Sequence, residues 1–286
     1  MIRDILIYFA IKYNGEWQKI FDAIKNKESI DDEEILKQVE KVKNQSITLI
    51  DEDYPERLKN VFKPPFVLFY KGDKSLLKGN IVSIVGSRLA SEYGKRATKS
   101  IVTDLKGKNM ITCSGLAKGI DGVVHKVSLE ENIPTIAVLT SGIDYCYPKE
   151  NLSLYLEIQK RGLIISEYPF KTHLLREQIP FRNRIIAALG DNLIVTEAYP
   201  QSGTLISVRY ALECGKDIYA VPYPFDSESI CNKLINDGAY LICRGDDIFK
   251  KIWNKVIIIF NNKRETTKKL GKICLTLNDK ITIIEK

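Results

Sequence analysis

Residues 80–95 read NIVSIVGSRLASEYGK, and this stretch decides the fold. A mostly β-branched run from Ile81 to Val85 ends in the turn Gly86-Ser87-Arg88, and a helical stretch follows from Tyr93. A strand this apolar is typical of a sheet covered on both faces, and the strand, loop and helix together predict a βαβ unit. The loop could let backbone N–H groups approach an anion that Arg88 binds as a fork, or it could be a plain tight turn.

The strand, loop and helix pattern repeats through the middle of the chain. Strands are predicted at 81–85, 110–113, 135–140, 163–166, 192–196 and 217–221, and helices near 93–107, 121–131, 150–161, 182–189 and 204–214. Spacings of this length fit βαβ units. The sequence therefore predicts an α/β fold with an open, doubly wound parallel sheet that binds its ligand at the carboxyl ends of the strands.

The first part of the chain has a different pattern. Apolar periodicity predicts short helices at 2–11 and 17–24 and a third that opens at the acidic run 31–34, while strands are expected at 47–50 and 66–70. We therefore expect a helical N-terminal domain over 1–60, the α/β domain over 61–249, and a basic C-terminal tail over 250–286.

Charge is unevenly distributed along the chain. The formal net charge is +7, yet residues 78–249 carry 20 Lys/Arg against 19 Asp/Glu, whereas residues 250–286 carry 10 against 3. The tail is either a solvated end or a phosphate-binding arm. If the middle of the chain binds an anion, it must use a local cluster of cations.

Composition excludes several classes of protein. With 44% apolar residues the chain can bury a core, which excludes a disordered chain, and no apolar stretch approaches the roughly 20 residues that cross a bilayer. Six scattered cysteines without a CxxC pair and only two histidines argue against disulfides and zinc sites. We expect a cytoplasmic protein without a membrane contact, a metal or a cofactor.

Two further loops supply candidate site residues. Residues 114–121 read SGLAKGID, and Asp121 is expected to cap the next helix rather than to act as a catalytic base. His125, one turn further on, is expected to be a packed side chain. Ser202 and Gly203 open a later helix and offer free N–H donors at the same edge of the sheet.

The stretch 180–184, PFRNR, is expected to open a helix with two arginines in its first turn. Cations there oppose the helix dipole at about 0.3–1 kcal/mol each, so a bound anion would turn a penalty into a site. With Lys171 and Arg176, these arginines form the local cluster that the charge count requires. The alternative is that they pair with carboxylates at strand ends, such as Glu167 or Glu197.

A resemblance to a known family rests on six motifs in register. They are IVGSR-x2-S-x-YG from Ile84, SG-x-A-x-GID-x3-H from Ser114, TIAVL-x2-GID-x2-YP-x2-N from Thr135, SEYP from Ser166, P-x-RNRIIA-x-L from Pro180 and EA-x3-SGTL-x-S from Glu197. In this order they resemble the DprA family of DNA-processing proteins, also called Smf. The likeness runs from about Tyr54 to Asp247.

The resemblance implies a Rossmann-like domain that binds single-stranded DNA, preceded by a helical domain of the sterile-alpha-motif type. It implies a non-enzymatic homodimer that protects incoming strands and loads the RecA recombinase onto them during natural transformation. Carried over by motif, the DNA-binding positions are Arg88, Ser114, Gly115, Arg176 and Arg182. The residues themselves add Phe181, Arg184, Ser202 and Gly203, in an electrostatic groove with little sequence readout.

The chain departs from the family pattern at several places, including Gln201, where a basic residue often precedes SG, and Pro222-Tyr223, which replaces a usual Pro-Gly. The family usually has Phe-Pro before x-RNR, where this chain has Ile179-Pro180, so Phe181 would have to supply base stacking. Some members carry a C-terminal winged helix, for which residues 250–286 are too short.

Two other functions are compatible with the same kind of sheet. One is a nucleotide-cleaving enzyme of the related phosphoribohydrolase group, whose motif PGG-x-GT-x2-E, aligned on Gly203-Thr204, places Ser207 where the catalytic glutamate should be. The other is a nucleotide-sensing module that uses the same loops for a small ligand. A preference for oligonucleotides over mononucleotides would exclude both.

Overall fold

The computed structural model describes residues 2–170, 172–175, 177–200 and 202–249, and the backbone of 273–277 and 280–284. It divides the chain into two compact units, Met1–Gly245 and Asp246–Lys286. The first unit contains the central sheet and the predicted site residues that the structure describes.

The N-terminal part of the first unit is helical, as the apolar periodicity predicted. It contains α1 (Ile2–Lys12), α2 (Trp17–Lys25) and α3 (Glu33–Val42), followed by a 3-10 helix at Lys43–Gln45. Asp32 caps α3 by accepting hydrogen bonds from the backbone N–H groups of Glu34 and Ile35. These donors have no partner within the helix, so the acidic start of α3 is explained by its cap.

A nine-stranded sheet forms the centre of the first unit. Its strands are β1 (Ser46–Thr48), β2 (Val67–Gly72), β3 (Asn80–Gly86), β4 (Met110–Ser114), β5 (Thr135–Val138), β6 (Leu163–Ser166), β7 (Asn192–Glu197), β8 (Asp217–Ala220) and β9 (Tyr240–Leu241). Their order across the sheet is β1-β2-β6-β5-β4-β3-β7-β8-β9. The strands from β3 to β9 pair in parallel, whereas β2 is antiparallel to β6 and β1 is antiparallel to β2.

The prediction of a mainly parallel α/β sheet is therefore confirmed, and the fold is Rossmann-like. The two early strands extend the same sheet as an antiparallel edge. β1 joins the sheet although it precedes residue 60, where the sequence suggested that the helical part ends.

Helices cover the sheet on both faces. Beyond the N-terminal part they are α4 (Glu56–Lys59), α5 (Glu92–Thr103), α6 (Ile120–Glu130), α7 (Leu152–Arg161), α8 (Gln178–Leu189), α9 (Gly203–Glu213) and α10 (Cys231–Asn236). Residues alternate across β5: Ile136 and Val138 pack in one apolar cluster with α8 and α9, and Ala137 packs in another with α1 and α7. Burial on both faces explains why the strands read as almost continuous apolar runs.

The winding of the chain reverses at β3. The chain passes from β3 through β4 and β5 to β6 in one direction, and then returns to place β7 on the other side of β3. A crevice opens at such a switch point because the connections after the two adjacent strands leave toward opposite faces. The loops after β3, β4 and β7 are those that the sequence singled out, so the fold brings them to one edge.

The second unit contains β10 (Ile273–Leu277) and β11 (Lys280–Ile284), which form an antiparallel pair. This pair lies within the range expected to be a basic tail. In the part of the chain that the structure describes, no helix is both long and apolar enough to cross a bilayer. Across the same residues, no group of three or more His, Cys, Asp or Glu side chains is arranged to hold a metal ion.

Candidate functional site

A cavity of about 670 Å³ occupies the crevice between β3 and β7, and we call it the switch-point cavity. Its volume is within the range of ordinary ligand sites. Four predicted site residues line it: Arg88, Arg182, Ser202 and Gly203. Four others lie elsewhere: Ser114, Gly115, Phe181 and Arg184. The ninth, Arg176, is outside the described residues, as is Lys171 of the same predicted cluster.

Arg88 is the exposed cation of the switch-point cavity. Among the described residues, its side chain has no hydrogen-bond or ion-pair partner. The turn before it approaches α6 closely, since a Cβ at Gly86 would lie 2.5 Å from Cγ1 of Ile120 and 3.0 Å from the carbonyl oxygen of Glu197. The glycine thus lets the loop turn close to the sheet and presents the Arg88 guanidinium to an incoming anion.

Glu197, at the end of β7, holds this loop in place. Its buried carboxylate accepts hydrogen bonds from the backbone N–H of Ser91 at 2.9 Å, from the Ser91 hydroxyl at 2.5 Å and from the Tyr199 hydroxyl at 3.1 Å. Ser91 in turn caps α5 by accepting from the N–H of Gly94. The sequence had suggested Glu197 as a partner for arginines, and the structure shows instead that it fastens the β3–α5 loop to β7.

Arg182 lies under the switch-point cavity with 3% of its surface exposed. Its Nη1 donates to the carbonyl of Gly115 at 2.7 Å and to the carbonyl of Val138, and its Nε donates to Oδ1 of Asn183 at 3.2 Å. Gly115 must be a glycine because a Cβ there would lie 2.2 Å from Arg182 Nη1. Burial lowers the pKa of Arg182 to about 10, against the opposing effect of Asp121, so the guanidinium stays charged at neutral pH and gives the cavity a fixed positive potential.

Ser114 lies behind the cavity rather than in its wall. Its hydroxyl is fully buried and donates to the carbonyl of Ile84 at 2.7 Å, which joins the carboxyl ends of β4 and β3. The structure therefore gives this side chain a partner within the protein, and its contact with DNA stays a prediction that its burial does not favour. Its role is to position Gly115, whose carbonyl holds Arg182.

Arg184 is also a structural residue. It is fully buried, its Nη2 donates to both carboxylate oxygens of Glu167 at 2.7 and 2.9 Å, and its Nη1 donates to the carbonyl of Phe181 at 3.0 Å. Its Nε donates to the carbonyls of Phe62 and Lys63 at 3.2 and 3.0 Å. Because each nitrogen of the guanidinium is bonded to protein, the alternative of a carboxylate partner applies to this arginine, and its contact with DNA stays a prediction that this arrangement does not favour.

Phe181 points away from the switch-point cavity. Successive helical residues are turned by about 100°, so Phe181 and Arg182 face different surroundings. Phe181 lines a second cavity of about 530 Å³, together with residues of the α1–α2 turn and Trp17 at the start of α2. Phe181 is the ring expected to supply base stacking, and the structure places it in this second cavity, apart from Arg88.

Helix α8 begins at Gln178, earlier than the sequence suggested. Pro180 is the third helical residue, where its missing N–H removes no intrahelical hydrogen bond. Arg182 and Arg184 therefore lie beyond the first turn, and the helix-dipole argument made for them does not apply. Ile179 lines the switch-point cavity in the first turn instead.

The start of α9 offers unused polar groups. Ser202 occupies the N-cap position without a side-chain cap hydrogen bond, and its buried Oγ has no partner among the described residues. A Cβ at Gly203 would meet nothing within 4 Å, so the backbone here is open to a ligand. An unpartnered buried hydroxyl beside the free N–H groups of a helix start indicates a site for a polar, preferably anionic, group.

The sequence predicted a helix cap at Asp121 and a packed side chain at His125, both on α6, and the structure agrees only with the second prediction. Gly119, with φ of 74°, holds the cap position, so the expected Asp121 cap is wrong; Oδ2 of Asp121 instead accepts from the N–H of Ala117 at 3.4 Å. Burial raises the pKa of Asp121, and Arg182 opposes this shift. His125 is a packed side chain, as expected: it is fully buried, Nδ1 lies 2.8 Å from Oγ1 of Thr135, and burial lowers its pKa to about 3.

Tyr147 is a candidate site residue that the sequence analysis missed. It follows β5, lines the switch-point cavity and is 48% exposed. In the described part of the chain, it is the aromatic side chain that this cavity presents. The signal was present in the YP pair of the third motif, but the motif alone did not show which way the ring faces.

Comparison with known sequences gives a consistent result. A family model described as DNA recombination-mediator protein A matches residues 45–253. The DNA processing protein DprA of Bacillus subtilis is 38% identical over 212 residues, which cover 72% of this chain and 71% of the relative. The DNA processing protein DprA of Streptococcus pneumoniae is 39% identical over 221 residues, which cover 77% of each chain.

Solved structures share the fold. The X-ray structure of DNA processing protein A from Streptococcus pneumoniae aligns with a TM-score of 0.74 and 36% identity over 82% of this chain and 80% of that chain. DNA processing protein A from Helicobacter pylori, described for its single-stranded DNA binding mode, aligns with a TM-score of 0.66 and 28% identity over 74% of this chain and 97% of that one. Since the family model covers most of the chain and the relatives agree with it, this protein belongs to the DNA recombination-mediator protein A family.

Proposed function

We propose that this protein binds single-stranded DNA in the switch-point cavity and loads a RecA recombinase onto it during natural transformation. Membership of the family supports a role in DNA processing, and the relative from Helicobacter pylori binds single-stranded DNA. The observation that carries the proposal is the combination, in one cavity, of the exposed Arg88 and the unpartnered hydroxyl of Ser202. Two such groups fit successive phosphates better than they fit a neutral ligand.

The chemistry of capture follows from the groups around the cavity. Arg88 binds a phosphate through its free fork, and the N–H groups at the start of α9 bind another. Arg182 adds positive potential without moving, since its donors are fixed by backbone carbonyls. Tyr147 offers a ring on which a base stacks, an interaction that every base can make. Binding of this kind is tolerant of sequence, as protection of incoming strands requires.

We further propose that the protein acts as a homodimer in the cytoplasm. Two cavities on one particle would hold a strand at two points, which raises the effective concentration of the second contact. Binding through phosphates leaves base edges exposed for pairing, so a strand held in this way suits transfer to RecA.

We also propose that the protein is not an enzyme. Among the described residues of the cavity wall, Asp121 is the carboxylate, and it is 7% exposed with Oδ2 accepting the hydrogen bond from the Ala117 N–H, so it presents little of its carboxylate to a substrate. Ser207, where the phosphoribohydrolase group has its glutamate, lies in the same wall with 1% of its surface exposed. Among its described residues, the cavity thus lacks an exposed carboxylate at the position where glycosidic cleavage needs one.

Fluorescence anisotropy of a labelled oligothymidylate tests the DNA site. Arg88→Ala should weaken binding by about tenfold or more, because it removes a charge-assisted phosphate contact. It should also reduce the slope of log affinity against log salt by about 0.7. The matched control is Arg209→Ala, which removes the same charge from a side chain that is 77% exposed and paired with Glu213. Equal losses in the two variants, or equal competition by mononucleotides and oligonucleotides, would contradict the proposed site.

The loading step has its own test. RecA filament growth is followed on single strands already coated with single-strand-binding protein, with and without this protein. We expect the wild type and Arg209→Ala to accelerate nucleation of RecA filaments. Arg88→Ala should give no acceleration. Absence of any acceleration, with DNA binding intact, would refute the loading step and leave the DNA site in place.

A further inference from the structure

We propose that the second cavity, between the α1–α2 turn and the start of α8, binds a nucleotide of the same single strand, with its base on Phe181 and its phosphate at Lys63. This inference rests on the proposed function. It extends the DNA path beyond the switch-point cavity and onto the helical part of the protein.

The two cavities share one wall, which gives a strand a continuous path between them. Residues 172–175 and 177–181 separate them: Leu174 and Ile179 line the switch-point cavity, whereas His173 and Phe181 line the second cavity. A strand that crosses these residues would therefore pass from one cavity into the other. At about 530 Å³, the second cavity has room for a nucleotide.

Phe181 is prepared for stacking by what lies behind it. The guanidinium carbon of Arg184 is 3.7 Å from the centre of the ring, and the ring also forms part of the cavity wall. Arg184 cannot move away, because Glu167 and the carbonyls of residues 62 and 63 hold it. A ring fixed against a cation on one side loses little freedom when a base stacks on it, and such aromatic platforms are typical of single-strand binding.

Lys63 is the cation of this cavity that has no carboxylate partner among the described residues. Two other lysines in the wall are neutralised: Lys12 lies 2.7 Å from Glu28, and Lys19 lies 2.5 Å from Glu16. Lys63 donates only to the amide oxygen of a glutamine, Gln18, at 3.2 Å, and its ammonium lies 5.0 Å from the ring of Trp17.

The backbone of Lys63 is itself held in an uncommon conformation. Its φ of 52° is in the left-handed region that long side chains rarely adopt. Its carbonyl accepts the hydrogen bond from Arg184 Nε at 3.0 Å, so the same arginine that supports Phe181 also fixes Lys63. Strained residues of this kind concentrate at binding sites.

The remaining polar groups of the wall are compatible with a nucleotide. Gln178 uses its Oε1 to accept from the N–H of Leu175, which leaves its amide nitrogen to donate to a base edge. Two carboxylates of the wall, Glu16 and Glu177, oppose a phosphate here, but both are exposed and therefore screened by solvent, and Glu16 is also paired with Lys19. The base is expected to enter toward Phe181 and Gln178, with its phosphate on the side of Lys63.

Tryptophan fluorescence gives a local readout. The chain has two tryptophans, Trp17 and Trp253, and Trp17 is in the wall of the second cavity. In full-length protein carrying Trp253→Phe, an oligothymidylate of about 20 nucleotides should quench Trp17, because a base and phosphate arrive next to it. Thymidine monophosphate at the same concentration should not quench Trp17, because a single nucleotide cannot also make contacts in the switch-point cavity.

Two variants and two matched controls test the assigned residues. Phe181→Leu should weaken binding of the oligonucleotide by about fivefold or more and abolish the quench. Lys63→Gln should weaken binding and reduce the salt slope by about 0.7. Lys59→Gln removes an exposed lysine paired with Glu56, and Phe225→Leu changes a fully exposed phenylalanine, so both should behave as wild type.

The failures of the two proposals are distinguishable. If the oligonucleotide binds in an Arg88-dependent manner but Trp17 is not quenched, or if Phe181→Leu and Lys63→Gln match their controls, the second cavity is not on the DNA path and the proposed function still stands. If thymidine monophosphate quenches Trp17 as strongly as the oligonucleotide, the cavity is a site for a free nucleotide and the inference is refuted. If no Arg88-dependent binding is found, the proposed function fails first.

Discussion

The substitution Gly115→Ala tests how the protein holds the Arg182 side chain in place. The backbone of Gly115 does not have a positive φ, so alanine is conformationally acceptable there, and the only obstacle is space. The added Cβ would lie 2.2 Å from Nη1 of Arg182 and 2.5 Å from its Cζ. The guanidinium cannot retreat without losing its hydrogen bonds to the carbonyls of Gly115 and Val138.

The magnitude follows from these two contributions. Forcing one extra methyl into a packed site costs about 1–3 kcal/mol. The loss of a hydrogen bond to a charged group costs about 1.5–3 kcal/mol more if the guanidinium shifts. We therefore expect Gly115→Ala to lower the free energy of unfolding by about 2.5–6 kcal/mol, which for a chain of this size reduces the melting temperature by about 4–10 °C.

Urea unfolding followed by circular dichroism measures this change, with Gly203→Ala as the matched control. A Cβ at Gly203 meets nothing within 4 Å, so that variant should be neutral or gain about 0.4–1 kcal/mol. The same Gly115→Ala change is then made in an Arg182→Met background, where the guanidinium is gone. There it should cost at least about 1 kcal/mol less, since contacting residues are coupled in this way. An equal cost in both backgrounds would refute the assignment of the clash to Arg182.

Three further changes have expected outcomes. Burial lowers the pKa of His125 from 6.5 to about 3, so between these pH values the unfolded chain binds a proton that the folded chain does not bind. This contribution to stability is therefore present above about pH 6.5 and is lost as the pH falls toward 3. In denaturant titrations, His125→Leu should flatten this pH dependence of the unfolding free energy by about 1.4 kcal/mol per pH unit. Glu167→Ala leaves the buried Arg184 guanidinium without its carboxylate and should cost about 3–5 kcal/mol by the same method, whereas adding Arg184→Met should recover part of the loss. Glu197→Ala removes the acceptor for Ser91, so hydrogen exchange at the Ser91 amide should become faster and affinity for single-stranded DNA should fall.

Each of these has a result that would count against it. A His125→Leu variant whose stability follows the same pH curve as the wild type would show that the histidine is not held neutral. A Glu167→Ala variant within about 0.5 kcal/mol of wild type, the range of ordinary surface substitutions, would show that the ion pair contributes little. Unchanged exchange at Ser91 in Glu197→Ala would mean that the β3–α5 loop is fixed by other contacts.

The sequence predicted the strands and helices of the sheet well, because the signal is local. Runs such as 81–85 and 192–196 are apolar on both faces, and in a chain without membrane-length stretches this pattern is typical of a buried strand. The position of the switch-point cavity was also predictable, since crevices in doubly wound sheets lie at the carboxyl ends of strands. The parts of the prediction that failed depended on which residues meet across the fold.

Arg184 and Phe181 show why those parts were out of reach. The pairing of Arg184 with Glu167 joins residues from α8 and from the end of β6, and sequence spacing does not reveal that contact. The charge count gave equal weight to the four cations of the cluster from Lys171 to Arg184, although Arg184 is fully buried. The facing of Phe181 could have been deduced from helical geometry, but only once α8 was known to begin at Gln178.

The place of β1 at the edge of the sheet limits how this chain can be divided. A truncation that removed the helical part as far as residue 60 would delete β1 and leave the outer backbone groups of β2 unpaired. Bare strand edges recruit other chains, so such a truncated chain is expected to aggregate. The truncation would also remove Leu58, which is fully buried against the sheet. A cut just before Ser46 keeps the sheet whole, and residue 45 is also where the family model begins to match.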